Sequence, residues 1–110
     1  MDSQEQYHIS PKVFARQYRR GELGDGIILD VREPEEWEAD HLDGAILIPL
    51  HHLPNRLHEL DRDKTVYVLC AHGIRSIYAA NFLLNQGFRR VVNVDDGLAA
   101  VRLYLDADAD

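Results

Sequence analysis

The chain has 110 residues, 45% of them hydrophobic and 28% charged. That is room for one domain with a modest core, and it is not the composition of a disordered segment. Its net charge of −7, with 12 Lys and Arg, argues against a nucleic-acid partner, and one cysteine rules out an internal disulfide and suits a reducing, cytoplasmic setting. No apolar run is long enough to span a bilayer, so no membrane partner is expected. Met1–Gln6 has neither the basic nor the apolar region of a secretion signal.

Strands and helices alternate along the chain. Tyr7–Ile9 reads as a short strand. Ser10 is an N-cap and Pro11 a first helical residue, opening a helix Pro11–Arg20 that carries Val13, Phe14, Gln17 and Tyr18 at helical spacing and stops before Gly21. After the turn Gly24–Gly26, the apolar run Ile27–Val31 predicts a strand covered on both faces. Pro34–Trp37 opens a short helical segment, and Gly44 releases the chain into a further buried strand, Ala45–Ile48. Leu50–Leu60 is expected to be helical and Asp61–Lys64 a polar turn. Thr65–Leu69 is a strand that leads into Cys70. The helix Arg75–Gln86 follows, with Ala79, Ala80, Phe82 and Leu83 on its apolar face and Gly87 just beyond its end. Val91–Val94 is the last strand and Leu98–Leu105 the last helix. Residues 1–105 thus form one domain, and Asp106–Asp110 an acidic tail expected to fray. The alternation predicts an α/β fold in three layers, a mainly parallel sheet with helices on both faces. Ligands of such sheets sit at the carboxyl ends of the strands, where Asp30 and Cys70 both fall.

The run Thr65–Ser76 carries the chemistry. A β-branched strand meets the single cysteine, a loop with Gly73 follows, and a helix starts at Arg75. Loop N–H groups and the positive end of a helix both favour a thiolate at Cys70. The bland alternative is a buried structural cysteine closing a strand. His51, His52 and His58 cluster in sequence, but without a second cysteine or a His-Glu-x-x-His spacing they read as surface residues, and no metal or cofactor is expected.

The segment Asp30–Glu38, followed by His41–Ala45 and Ile48–Leu50, resembles the first signature of rhodanese domains. Cys70–Ser76 resembles that family's active-site loop, and Asn93–Leu98 its closing segment less well. The resemblance covers nearly the whole chain in order. It implies a single-domain sulfurtransferase on a five-stranded parallel sheet. It also implies a reaction in which Cys70 takes the sulfane sulfur of a donor such as thiosulfate or a persulfide. A thiophilic acceptor then removes it from the resulting persulfide: cyanide, a small thiol or a small thiol protein.

Around Cys70, the loop Ala71, His72, Gly73, Ile74, Arg75 and Ser76 would bind the donor and the persulfide. Arg75 either faces an anionic donor or pairs with an acidic residue such as Asp30 to hold the loop. His72 contributes a backbone N–H or transfers a proton. Gly73 supplies a backbone conformation that other residues resist, and Ser76 caps or lines the helix start. Asp30 and Arg32 support the loop, either as an ion pair at the strand end or in contact with substrate. Trp37 and His41 read as scaffold.

Two rival readings share the fold: a rhodanese-like phosphatase and a non-catalytic binding module. Four residues separate Cys70 from Arg75, one fewer than in the phosphatases, and the binding modules usually lack the cysteine kept here. Two positions depart from the family pattern. Asp96 stands where glycine is common and would bring a carboxylate to the pocket mouth, and Val101 stands where tryptophan is frequent.

Overall fold

The computed structural model describes residues 7–107. The reading of Met1–Gln6 as free of a signal, and the last three residues of the expected tail, lie outside them. Five strands form one sheet: β1 (Tyr7–Ile9), β2 (Ile27–Asp30), β3 (Ile46–Leu47), β4 (Thr65–Leu69) and β5 (Arg90–Val94). Their order is β1-β5-β4-β2-β3, and every pairing is parallel. Five α-helices connect or follow them: α1 (Pro11–Arg19), α2 (Pro34–Ala39), α3 (Leu53–Arg56), α4 (Arg75–Asn85) and α5 (Gly97–Ala107).

The central strands are apolar in succession because both of their faces are covered. On one face Leu29, Val31, Val66 and Val68 pack with Leu53, Ala79, Ala80, Leu83 and Phe88. On the other, Ile28, Leu69 and Val94 pack with Phe14 and Ala15 of α1 and Leu98 and Val101 of α5. Helices therefore lie on both faces, as the alternation predicts. The Ser10 hydroxyl accepts from Val13 N and starts α1 as expected. Val101 is fully buried, so the position where the family favours tryptophan belongs to the core here.

The structure corrects three boundaries. The expected buried strand Ala45–Ile48 shrinks to Ile46–Leu47, an edge strand with Ile46 exposed, because β3 pairs only with β2. The expected helix Leu50–Leu60 is three short pieces, a 3₁₀ turn at Leu50–His52, α3, and a second 3₁₀ turn at Leu57–Glu59. Pro54 has no N–H to donate to Leu50, so that carbonyl instead accepts from Leu53 N. At the other end, α5 runs through Asp106 and Ala107, two residues assigned from sequence to a frayed tail. Among the described residues no helix is long and apolar enough to cross a membrane.

The strand order fixes where a site can form. From β2 the chain moves outward to β3, then returns to β4 on the opposite side of β2. The carboxyl ends of β2 and β4 thus border the point where the winding reverses, the usual place for a ligand crevice. Asp30 ends β2, and its register partner Leu69 immediately precedes Cys70.

Candidate active site

Cys70 is 1% exposed and belongs to the cluster beneath α4. Its Sγ accepts hydrogen bonds from Gly73 N at 3.1 Å and Ser76 N at 3.3 Å, and Ser76 Oγ lies 3.4 Å away. A thiol donates to that hydroxyl, and a thiolate would accept from it. Gly73 turns the chain at φ +91°, which aims its N–H inward. Ser76 is fully buried in the first turn of α4, so its N–H is one of the helix donors left without an intrahelical partner. The expected loop of donors is thus resolved into the two backbone N–H groups of Gly73 and Ser76, with the Ser76 hydroxyl beside them. His72 and Ile74 are exposed, and Ala71 is half-buried.

Carboxylates hold the surrounding cations. Arg32 grips Asp30 through Nε at 2.9 Å and a terminal nitrogen at 2.8 Å, both residues being buried, and Asp30 also accepts from Arg32 N at 3.0 Å. The same guanidinium donates to the carbonyls of Glu36 and Asp40 and so ties α2 to the end of β2. Of the two sequence readings of Asp30 and Arg32, the geometry is that of the ion pair. Arg75 does not reach Asp30. Its two terminal nitrogens donate to the two carboxylate oxygens of Glu36 at 2.8 and 2.9 Å. This pairing pulls the Glu36 carboxyl down to about 2, the Arg75 hydrogen bonds being the main cause. Trp37 and His41 stack with ring centroids 3.8 Å apart, the expected scaffold role. His51 sits 3.6 Å from Glu33, with the His52 ring beside it.

Glu36 and Asp40 are the residues that sequence reasoning passed over. Asp40 is paired by Arg102 of α5 at 2.7 and 3.0 Å. A usable signal for Glu36 was its place three residues after Glu33 at a helix start, where a carboxylate reaches back to the first N–H, as it does here at 2.9 Å. Nothing comparable marked Asp40, whose partner lies 62 positions away.

A cavity of about 370 Å³ opens beside the loop, lined by Arg32, Glu36, Ala39, Asp40, Ala71, His72, Leu98, Ala99 and Arg102. Asp96 is exposed beside Gly73 of the loop and is not among the residues that line this cavity. Its distinction is its backbone, at φ +62°. Gly97 follows at φ +72°, and a Cβ there would stand 2.6 Å from Cys70 O. This close approach lets Leu98 N and Ala99 N donate to the carbonyls of Cys70 and Ala71.

The family model for the rhodanese-like domain matches residues 10–103, which contain the whole of this arrangement. The chain belongs to the rhodanese-like domain family. It is 44% identical over 71 residues to the Bacillus subtilis (strain 168) protein named "Putative sulfur carrier protein YrkF", covering 64% of this chain and only 38% of that relative's length. It is 33% identical over 82 residues to a protein from Allochromatium vinosum named "Sulfurtransferase", covering 74% of this chain and 77% of the relative. Among solved structures, a rhodanese-like domain protein from Staphylococcus aureus superposes with a TM-score of 0.79 at 28% identity, covering 86% of this chain and 90% of the other. This rhodanese-like chain therefore has relatives named for both sulfur transfer and sulfur carriage.

Proposed function

We propose that this rhodanese-like domain is a sulfurtransferase that carries sulfane sulfur as a persulfide on Cys70. The supporting observation is the seat of Sγ, buried at the end of β4 with Gly73 N, Ser76 N and Ser76 Oγ converging on it. Those donors favour an anion, whether the attacking thiolate or the terminal sulfur of the persulfide. The thiolate attacks the outer sulfur of a donor such as thiosulfate or a persulfide. A bond forms from Sγ to that sulfur as the donor's S–S bond breaks, and sulfite or a thiolate leaves with the electron pair. A thiol or cyanide then accepts the sulfur and restores Cys70, which gives two half-reactions on one nucleophile. No general base is required, so His72 can serve without proton transfer. A small thiol protein fits the acceptor role as well as a free thiol, and a single unpaired cysteine suits the reducing cytoplasm.

Phosphate-ester chemistry is disfavoured by the same geometry. The loop has only four residues between Cys70 and Arg75, and the edge of the Arg75 guanidinium formed by its two terminal nitrogens is taken by Glu36. Intact-protein mass spectrometry tests the proposal. Exposure to thiosulfate or an organic persulfide should add one sulfur atom to the chain, cyanide should remove it, and Cys70→Ser should never acquire it. A wild-type chain that gains no sulfur from any donor overturns the reading.

A further inference from the structure

We infer that a slot between Tyr7 and Tyr67 binds a small planar aromatic carboxylate, at a site separate from the sulfur chemistry. Parallel pairing puts Tyr7 of β1, Val92 of β5 and Tyr67 of β4 in one row across the sheet. Tyr67 packs with the cluster of α1 and α5, whereas Cys70 belongs to the cluster beneath α4. The row therefore lies across the sheet from Cys70. Two strand spacings, about 10 Å, separate the backbones of the two tyrosines, and the shorter Val92 stands between them. A flat ring placed midway stands about 5 Å from each, within the spacing of about 4.5–7 Å that aromatic pairs adopt.

A cavity of about 300 Å³ opens at this slot, with Gln17 of α1, Ile9 and Arg90 completing its lining. That volume is the lower end of the range of about 300–1,000 Å³ for small organic ligands and suits a single substituted ring. The walls are held in place. The Tyr67 ring packs on Phe14 with centroids 5.8 Å apart, and the Arg90 guanidinium sits over the Tyr7 ring at 4.4 Å.

Charge selects an anion. The ring face of Tyr7 attracts the Arg90 cation but offers it no lone pair, so its N–H donors are left for another acceptor. Among the described residues no carboxylate pairs with Arg90, and neither the Gln17 side-chain amide nor the Tyr67 hydroxyl has a hydrogen-bond partner. In the cavity beside Cys70, by contrast, Arg32, Glu36, Asp40 and Arg102 are all in ion pairs. The planar fork of Arg90 matches the two oxygens of a carboxylate. Gln17 and Tyr67 can hold a hydroxyl elsewhere on the ring. The net charge of −7 opposes an anion at a distance, but it is spread over the surface and screened within about 8 Å at physiological salt, whereas Arg90 acts at contact.

An NMR titration of the wild-type chain with para-hydroxybenzoate tests the assignment. It should shift the Val92 methyl signals and the ring signals of Tyr7 and Tyr67, and leave the methyl signals of Ala71 and Ala99 unmoved. The neutral amide of the same acid should bind at least about tenfold more weakly, the scale of a lost charged hydrogen bond. Acetate, which has the charge without the ring, should shift nothing at concentrations that saturate the aromatic acid. Arg90→Gln, at an exposed position, should lose about tenfold in affinity for para-hydroxybenzoate. Unmoved Val92 and tyrosine signals, shifts confined to Ala71 and Ala99, or equal affinity for acid and amide would overturn the inference. None of these readouts depends on sulfur loading, so the sulfurtransferase reading stands or falls separately.

Discussion

Gly73 has two tasks that no other residue type can combine. Its N–H bonds to Cys70 Sγ, and its φ of +91° brings its α-carbon so near the next loop that a Cβ would stand 2.7 Å from Asp96 N. Gly73→Ala meets backbone, which cannot swing aside as a side chain would. It is expected to destabilise the fold by about 1–3 kcal/mol and to slow sulfur loading, both readable by chemical denaturation and mass spectrometry. Asp96 is the complementary case. It holds φ +62° with a side chain attached, so Asp96→Gly should raise stability, by up to about 1 kcal/mol, because strain relief exceeds the added freedom of the unfolded chain. A loss of stability in that variant would show that the carboxylate makes a compensating bond. The two residues differ in how well the sequence revealed them. Gly73 follows a strand and a cysteine and precedes a helix, a local pattern. The left-handed bend at Asp96 follows from how closely Gly97 must approach Cys70, a contact between distant segments.

At the scale of elements, the short helix α2 acts as a strut. Arg32 binds the carbonyl of Glu36 within it and that of Asp40 at its end, and Glu36 joins it to the start of α4 through Arg75. The Glu36 carboxyl has an ordinary value of 4.5 and is held at about 2 in the fold, chiefly by Arg75. A depressed folded value means that the stabilisation is complete above about pH 4.5 and is lost as pH falls through 2. The side chains of Glu36 and Arg75 are 34% and 36% exposed, so solvent screening reduces the contribution to about 1 kcal/mol. Glu36→Gln should lower stability by about that amount at pH 6 and should converge on the wild type near pH 2. A gap that persists unchanged at pH 2 would assign the loss to packing. The elements themselves were largely legible, because β4, β5 and α4 carry runs or periods that local sequence displays. The edge strand β3 was overextended for a physical reason. Ala45–Ile48 has the composition of a buried strand, and only its place beyond β2 leaves Ile46 in water. The pairing of Arg75 with Glu36 spans 39 positions and no local spacing could announce it, so Asp30 stood in its place.

For the whole molecule, strand order does what no single element can, bringing the ends of β2 and β4 together and covering them from both layers. Overall charge then acts on whatever approaches. A chain of net charge −7 repels a dianion at a distance even where the local groups are paired. Loading by thiosulfate should therefore accelerate as ionic strength rises from about 10 mM to about 150 mM, where the Debye length shortens from about 30 Å to about 8 Å. Loading by a neutral persulfide should stay level, and stopped-flow kinetics with both donors checks the contrast. A thiosulfate rate that falls with salt would reveal a positive approach path.

The hydrogen bonds from Leu98 and Ala99 to the carbonyls of Cys70 and Ala71 also bear on how the molecule opens. The first N–H groups of a helix have no partners within it, and here the sulfur-bearing strand end supplies them. Opening the loop therefore uncaps α5, and α5 is packed along α1 through Phe14, Leu98 and Val101. Opening of the loop is therefore expected to draw in the two helices on the far face of the sheet, and hydrogen exchange of their amides should change together with that of the loop.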